Sequence, residues 1–136
     1  MKRVTGLGGF FFKADEPKKL GDWYSKHLGV PIDRSYGGYG FRWRDLDNPD
    51  LEGRTEWAPF SRDTNYFDPS EKPFMFNFRV ADLERLLELL EKEGIKQVGE
   101  VETFEYGKFA WIMDPEGNKV ELWEPPAQQQ PEKEES

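Results

Sequence analysis

The sequence has no cysteine and only one histidine, His27. Without thiols there is no disulfide, no thiolate metal centre and no cysteine nucleophile. No nucleophile elbow is present, and the serines have only His27 as a partner, so a hydrolase triad is not expected. Positive charge is also short: 19 Lys and Arg against 27 Asp and Glu leave a net charge of −8 and a pI near 4.8. That balance argues against binding nucleic acid by phosphate neutralisation, and no nucleic-acid partner is expected. No apolar run approaches the length of a membrane span, and the start "MKRVTGLGG" lacks the apolar core of a signal peptide. The expectation is a cytoplasmic protein with no membrane partner. Hydrophobic residues are scarce at 36%, yet aromatics reach 15%, with 11 Phe and 5 Trp, so the core or a pocket must be aromatic-rich.

The patterning within 136 residues suits one domain. Residues 6–13, "GLGGFFFK", suit a strand. "GLGG" lacks the lysine and Ser or Thr of a phosphate loop and is read as a bulged or close-packed strand start. Asp15 is placed to cap a helix that carries Pro17 in its first turn, stripes Leu20, Trp23, Tyr24 and Leu28 along one side, and stops at Gly29. His27 falls in its last turn, where the helix dipole favours a cation, and is read as structural. Strands are expected at 32–36 and 38–45, joined by a tight turn at Gly37-Gly38, and again in "RTEWAPF". "SRDTNYFDPSEKP" reads as a connector.

The second half repeats the plan. "FMFNFRV" is a strand, and Asp82 caps "LERLLELLEKE", whose leucines 83, 86, 87 and 90 form an apolar stripe ending at Gly94. Strands follow near 97–103, 107–113 and 119–124, the last after the turn "DPEGN". Ala14-Asp15 and Ala81-Asp82 stand 82 − 15 = 67 residues apart, which indicates an internal duplication. The fold expected is α+β: two βαβββ repeats forming curled mixed sheets around a central cleft, helices outside. Residues 1–125 make the domain (repeat 1 about 4–60, connector 61–72, repeat 2 about 73–125), and 126–136 a disordered tail.

The paired stretches "FFFKADEPKKLGDWYSKHLGV" and "FMFNFRVADLERLLELLEKEGI", with "WIMDPEGNKVELWEP" near the end, resemble the vicinal oxygen chelate superfamily, the glyoxalase/bleomycin-resistance fold. The resemblance covers nearly all of residues 4–125. It implies that any metal would be held by cleft-facing residues of the first and last strands of each repeat. Counted back from each Ala-Asp pair, the first-strand positions are Gly8 and Met75, neither a hard ligand. Glu121 matches the family's last-strand carboxylate, and Glu56 is the other candidate if register permits, with Trp57 competing for the inward face. A zinc, manganese or iron site needs three or four ligands, so no cofactor is expected, with a divalent metal on Glu121 and Glu56 as the exception. Members of this family often pair, and a homodimer is expected.

Strand alternation puts Lys119, Glu121 and Trp123 on the cleft side and Val120 and Leu122 toward a helix. Glu121 is then either a wet edge carboxylate or a cleft residue whose desolvation makes it a candidate catalytic base. In "FMFNFRV", Asn77 and Arg79 face the cleft. Arg79 either grips a ligand carboxylate or phosphate or pairs with an acid such as Glu121. The same count gives Phe10 and Phe12 to the cleft, while Trp57 and Trp111 either complete an aromatic wall or serve the core. Two functions follow. One is a metal-independent small-molecule binding protein for an aromatic or amphipathic metabolite or drug, including a cationic one. The alternative is a glyoxalase-like metal-dependent lyase or isomerase using Glu121.

Overall fold

The computed structural model describes residues 2–127. The tail expected at 126–136 lies, from residue 128 on, outside the described residues. The elements are β1 (Val4–Ala14), α1 (Pro17–Leu28), β2 (Tyr39–Arg44), β3 (Glu52–Ser61), β4 (Phe74–Val80), α2 (Leu83–Lys92), β5 (Glu102–Phe104), β6 (Gly107–Met113) and β7 (Lys119–Glu124). The seven strands join one mixed sheet in the order β2-β3-β1-β4-β7-β6-β5. In each half the first strand pairs parallel with the last, β1 with β3 and β4 with β7. The halves meet where β1 runs antiparallel to β4. The duplication is thus an approximate two-fold through the middle of a continuous sheet.

Both helices cover the same face. The leucines of α2 pack with Phe78, Val80, Ala110, Ile112, Val120 and Leu122. On the α1 side Tyr24 meets Trp57 at 4.7 Å and Trp57 meets Phe12 at 5.3 Å between ring centroids. Phe10, 5.6 Å from both Phe12 and Phe76, bridges the two layers. The opposite, inner face has its own core of Phe67, Met75 and Trp111, flanked by Phe11, Phe60, Val98 and Phe109.

Several local expectations need correction. No strand forms at 32–36: the Asp33 carboxylate accepts from Ser35 N and Oγ at 2.9 and 2.6 Å, and only an Asp33–Gly38 bridge remains. Near 97–103 only a Gln97–Ile112 bridge and the short β5 form, because Gly99 at φ 72° turns the chain out of extension. The N-cap position of α1 is Glu16, which makes no side-chain cap bond, and not Asp15, whose carboxylate instead accepts from Arg62 Nε at 3.0 Å. The corresponding cap of α2 is Asp82, so the true offset between repeats is 82 − 16 = 66. The "GLGG" start is bulged, with register shifts between Val4 and Gly6 and between Leu7 and Gly9.

The connector is a packed element. Phe67 is fully buried against Met75 and Trp111. The segment is tied down by Arg62 N to Ala14 O at 3.0 Å and by Lys13 N to Pro73 O at 2.7 Å.

Candidate functional site

The one-residue difference in offset decides which aromatics face inward, since a slip of one inverts every side chain of a strand. An offset of 66 aligns Phe11, not Phe10 or Phe12, with Asn77, and Phe11 packs on Phe60 at 5.5 Å in the inner core. Phe10, Phe12 and Trp57 therefore lie on the helix face: the expected place of Phe10 and Phe12 in the cleft is corrected, and of the two readings of Trp57 the structure takes the core and not the ligand-facing wall. Asn77, Arg79, Trp111 and Glu121 do stand on the inner face. Trp111, read from sequence as wall or core, is both: its ring belongs to the inner core and its N–H belongs to the site.

Register lines up one row across the sheet. Glu56 pairs with Gly9, Gly9 with Asn77, Asn77 with Glu121 and Glu121 with Trp111. The first-strand positions beside the two glutamates are thus Gly9 and Asn77, where the sequence count gave Gly8 and Met75. Met75 is buried in the apolar core. Gly8 makes room for the row: a Cβ there would lie 2.1 Å from Asn77 Oδ1.

Glu121 is 2% exposed, and three neutral donors from three elements converge on its carboxylate. Asn77 Nδ2 donates to Oε1 at 2.6 Å, Trp111 Nε1 donates to Oε2 at 2.9 Å, and the Tyr66 hydroxyl donates to Oε2 as well. Burial raises the proton affinity of Glu121 above the ordinary carboxylate range, and the three donors offset part of that effect. Burial also pushes the Tyr66 phenol upward, reinforced by the facing Glu121. Lys119 closes one side. Its Nζ donates to Tyr66 O at 2.8 Å and sits 5.5 Å from the centroids of both the Tyr66 and Trp111 rings. Burial lowers its pKa, against an opposing pull from Glu121.

Glu56 ends the row in a different setting. Its Oε2 accepts from the Tyr36 hydroxyl at 2.6 Å, and its Oε1 lies 2.8 Å from Arg54 Nε. Three strand spacings of about 4.8 Å put the Glu56 and Glu121 backbones roughly 14 Å apart along the row. Among the described residues no three His, Cys, Asp or Glu side chains cluster as metal ligands. The residues present make a poor set for a divalent cation: Gly9 has no donor, each glutamate is already held by its own tyrosine, and the one oxygen of the row without a hydrogen-bond partner among the described residues is the amide Oδ1 of Asn77, a neutral donor.

Arg79 is stacked between two indoles, with Cζ 5.4 Å from the Trp43 ring and 5.1 Å from that of Trp123. Burial lowers its pKa, and neighbouring Arg54 adds to this. A lysine cannot lie flat on two rings, so Arg79→Lys should cost about 1–2 kcal/mol of stability in chemical denaturation. A variant with wild-type stability would show that the stacking contributes nothing.

Tyr66, Tyr36 and Trp43 escaped the sequence reading as site residues, and Lys119 was placed on the cleft side by alternation but given no role. Tyr66-Phe67 had a signal, an adjacent aromatic pair inside an otherwise polar connector. Tyr36 and Trp43 had none, since their roles depend on long-range pairing.

With this geometry in view, the sequence matches the family model described as "Glyoxalase-like domain" over residues 9–123. The chain belongs to the glyoxalase-like domain family. No curated protein matched the sequence. Among solved structures, methylmalonyl-CoA epimerase from Mycobacterium tuberculosis is 20% identical, with a TM-score of 0.57 over 94% of this chain and 93% of that one. A Streptomyces coelicolor methylmalonyl-CoA epimerase variant in complex with 2-nitronate-propionyl-CoA is 12% identical, with a TM-score of 0.66 over 94% and 99%. A glyoxalase/bleomycin resistance protein/dioxygenase superfamily member from Vibrio splendidus is 13% identical, with a TM-score of 0.52 over 87% and 98%. At these identities the likeness establishes the fold. Among the described residues no helix is long and apolar enough to cross a membrane.

Proposed function

We propose that the chain is a metal-independent binding protein for a small aromatic or amphipathic molecule, held on the inner face beside Glu121. The observation that carries this reading is the setting of that carboxylate, buried at 2% exposure among aromatic rings and, among the described residues, bonded only by neutral donors. A metal would have to strip those donors away and would gain beside Glu121 only the neutral amide oxygen of Asn77, short of the three or four ligands such a site needs. A ligand N–H or O–H needs only one of the three positions. The homodimer that the resemblance implies stays part of this proposal.

The test has two arms. Chain incubated with zinc, nickel and manganese and then dialysed should come out without stoichiometric metal. Equilibrium dialysis against a panel of aromatic metabolites should deplete at least one of them stoichiometrically. A metal retained through Glu121, or silence across the panel, would sink the reading.

A second reading is supported by the raised proton affinity of Glu121 and by the epimerases among the similar structures: proton transfer at a carbon acid, with Glu121 as the base. Once a substrate is found, Glu121→Gln separates the two. The binding protein returns its ligand unchanged, and Glu121→Gln weakens that binding; the second reading predicts turnover of the ligand, which Glu121→Gln abolishes.

A further inference from the structure

Tyr66 is the one member of the Glu121 cage that does not come from a strand. It lies in the segment between β3 and β4 and is 36% exposed, although its hydroxyl reaches a carboxylate that is 2% exposed. Its ring runs from the surface down to a buried acceptor. Along the way it stacks on Phe60 at 5.6 Å and 13° between planes, and meets Trp111 edge-on at 6.1 Å and 88°. Lys119 Nζ stands 5.5 Å from its centroid. The chain beside it is anchored independently, through Phe67 in the inner core and through the Arg62 N to Ala14 O bond. A change of side-chain rotamer at Tyr66 therefore requires no movement of the sheet.

We propose that Tyr66 occupies the place of the ligand, and that the ligand is a neutral phenol or a similar flat aromatic carrying one hydrogen-bond donor. This rests on the reading of the inner face as a small-molecule site and gives it a ligand class. With Tyr66 turned outward, the groups it leaves are those that held a phenol: Glu121 Oε2 as acceptor, the Phe60 face, the Trp111 edge and the Lys119 ammonium. The fixed donors Asn77 and Trp111 stay on the carboxylate and keep it oriented. Lys119 makes the choice among donors. Its charge attracts an electron-rich ring face and repels a ligand ammonium, so a phenol is preferred to a benzylamine. This narrows the wider expectation from sequence, which admitted cationic ligands.

The proposal predicts the sign of one change. If Tyr66 competes with the ligand, removing it tightens binding; if Tyr66 is a wall of the site, removing it weakens binding. The probe is p-cresol, which has the ring and hydroxyl of tyrosine, with toluene and benzylamine as controls, titrated by calorimetry into wild type, Tyr66→Phe and Tyr66→Ala. Tyr66→Ala should bind p-cresol roughly tenfold or more tighter than wild type, and at least about tenfold tighter than it binds toluene or benzylamine. Tyr66→Phe should fall between wild type and Tyr66→Ala. It also carries the comparison alone should the alanine variant not fold. In the wild-type chain, saturating p-cresol should shift the Tyr66 ring resonances, which shows that the natural side chain yields its place. Equal or weaker p-cresol binding on removing Tyr66, no preference over toluene, or unmoved Tyr66 resonances would each overturn the proposal. If the metabolite panel yields a ligand while phenols do not bind, this inference alone fails. If nothing binds, the functional reading fails with it.

Discussion

Replacing Phe67 by alanine should remove about 3–5 kcal/mol of folding stability, the usual result of deleting a large buried aromatic. That is a large part of the roughly 5–15 kcal/mol that holds a domain together. The expectation rests on Phe67 being fully buried between Met75 and Trp111, with Phe60 5.2 Å away. It also tests what the segment between β3 and β4 is. A loose linker would tolerate the change with little loss; a structural element of the inner face would not. Urea denaturation of the two proteins decides, and a loss below about 1 kcal/mol would mean that Phe67 does not anchor the segment in solution.

The second large effect concerns pH. Glu121 holds its proton more tightly in the folded chain than the ordinary glutamate value of 4.5, because burial penalises its charge. Below 4.5 both folded and unfolded chains are protonated there and no penalty arises. As the pH rises through 4.5 the unfolded chain releases its proton first, and the fold loses stability until the folded carboxylate has ionised as well. Glutamine cannot ionise, and Asn77 can turn its amide to offer Oδ1, which has no hydrogen-bond partner among the described residues. The stability of wild type relative to Glu121→Gln should therefore fall across the window that opens at 4.5 and extends upward. Each tenfold rise in the proton affinity of the folded state is worth about 1.4 kcal/mol of this difference. A difference that is flat or rises with pH would contradict the buried setting of the carboxylate.

The faces of β4 and β7 were legible because each alternates cleanly: Phe76, Phe78, Val80, Val120 and Leu122 on the helix side, Asn77, Arg79 and Glu121 on the other. The duplication was legible for the same reason, as two aromatic strands each feeding a capped amphipathic helix. In β1 the signal failed. Three consecutive phenylalanines, 10 to 12, carry no alternation, so the facing was borrowed from the second repeat through an offset that the N-cap position at Glu16 makes one residue too long. That single residue misplaced Phe10 and Phe12. Trp57 stayed open between wall and core because both faces of β3 are half-apolar, and only its pairing with β1 decides the side. The Tyr66–Glu121 bond spans 55 residues and leaves no periodic trace. The pairing of Glu56 with Tyr36 is equally silent, since it depends on a turn where a strand was expected.

What the whole account requires is a last-strand acid withdrawn from water and held by neutral groups. Carbon-13 NMR titration of the Glu121 side chain, assigned by its loss in Glu121→Gln, reads this directly. The midpoint should lie above 4.5. A midpoint at or below that value would show a carboxylate that is solvated or held by positive charge, and the site described here would not exist in solution.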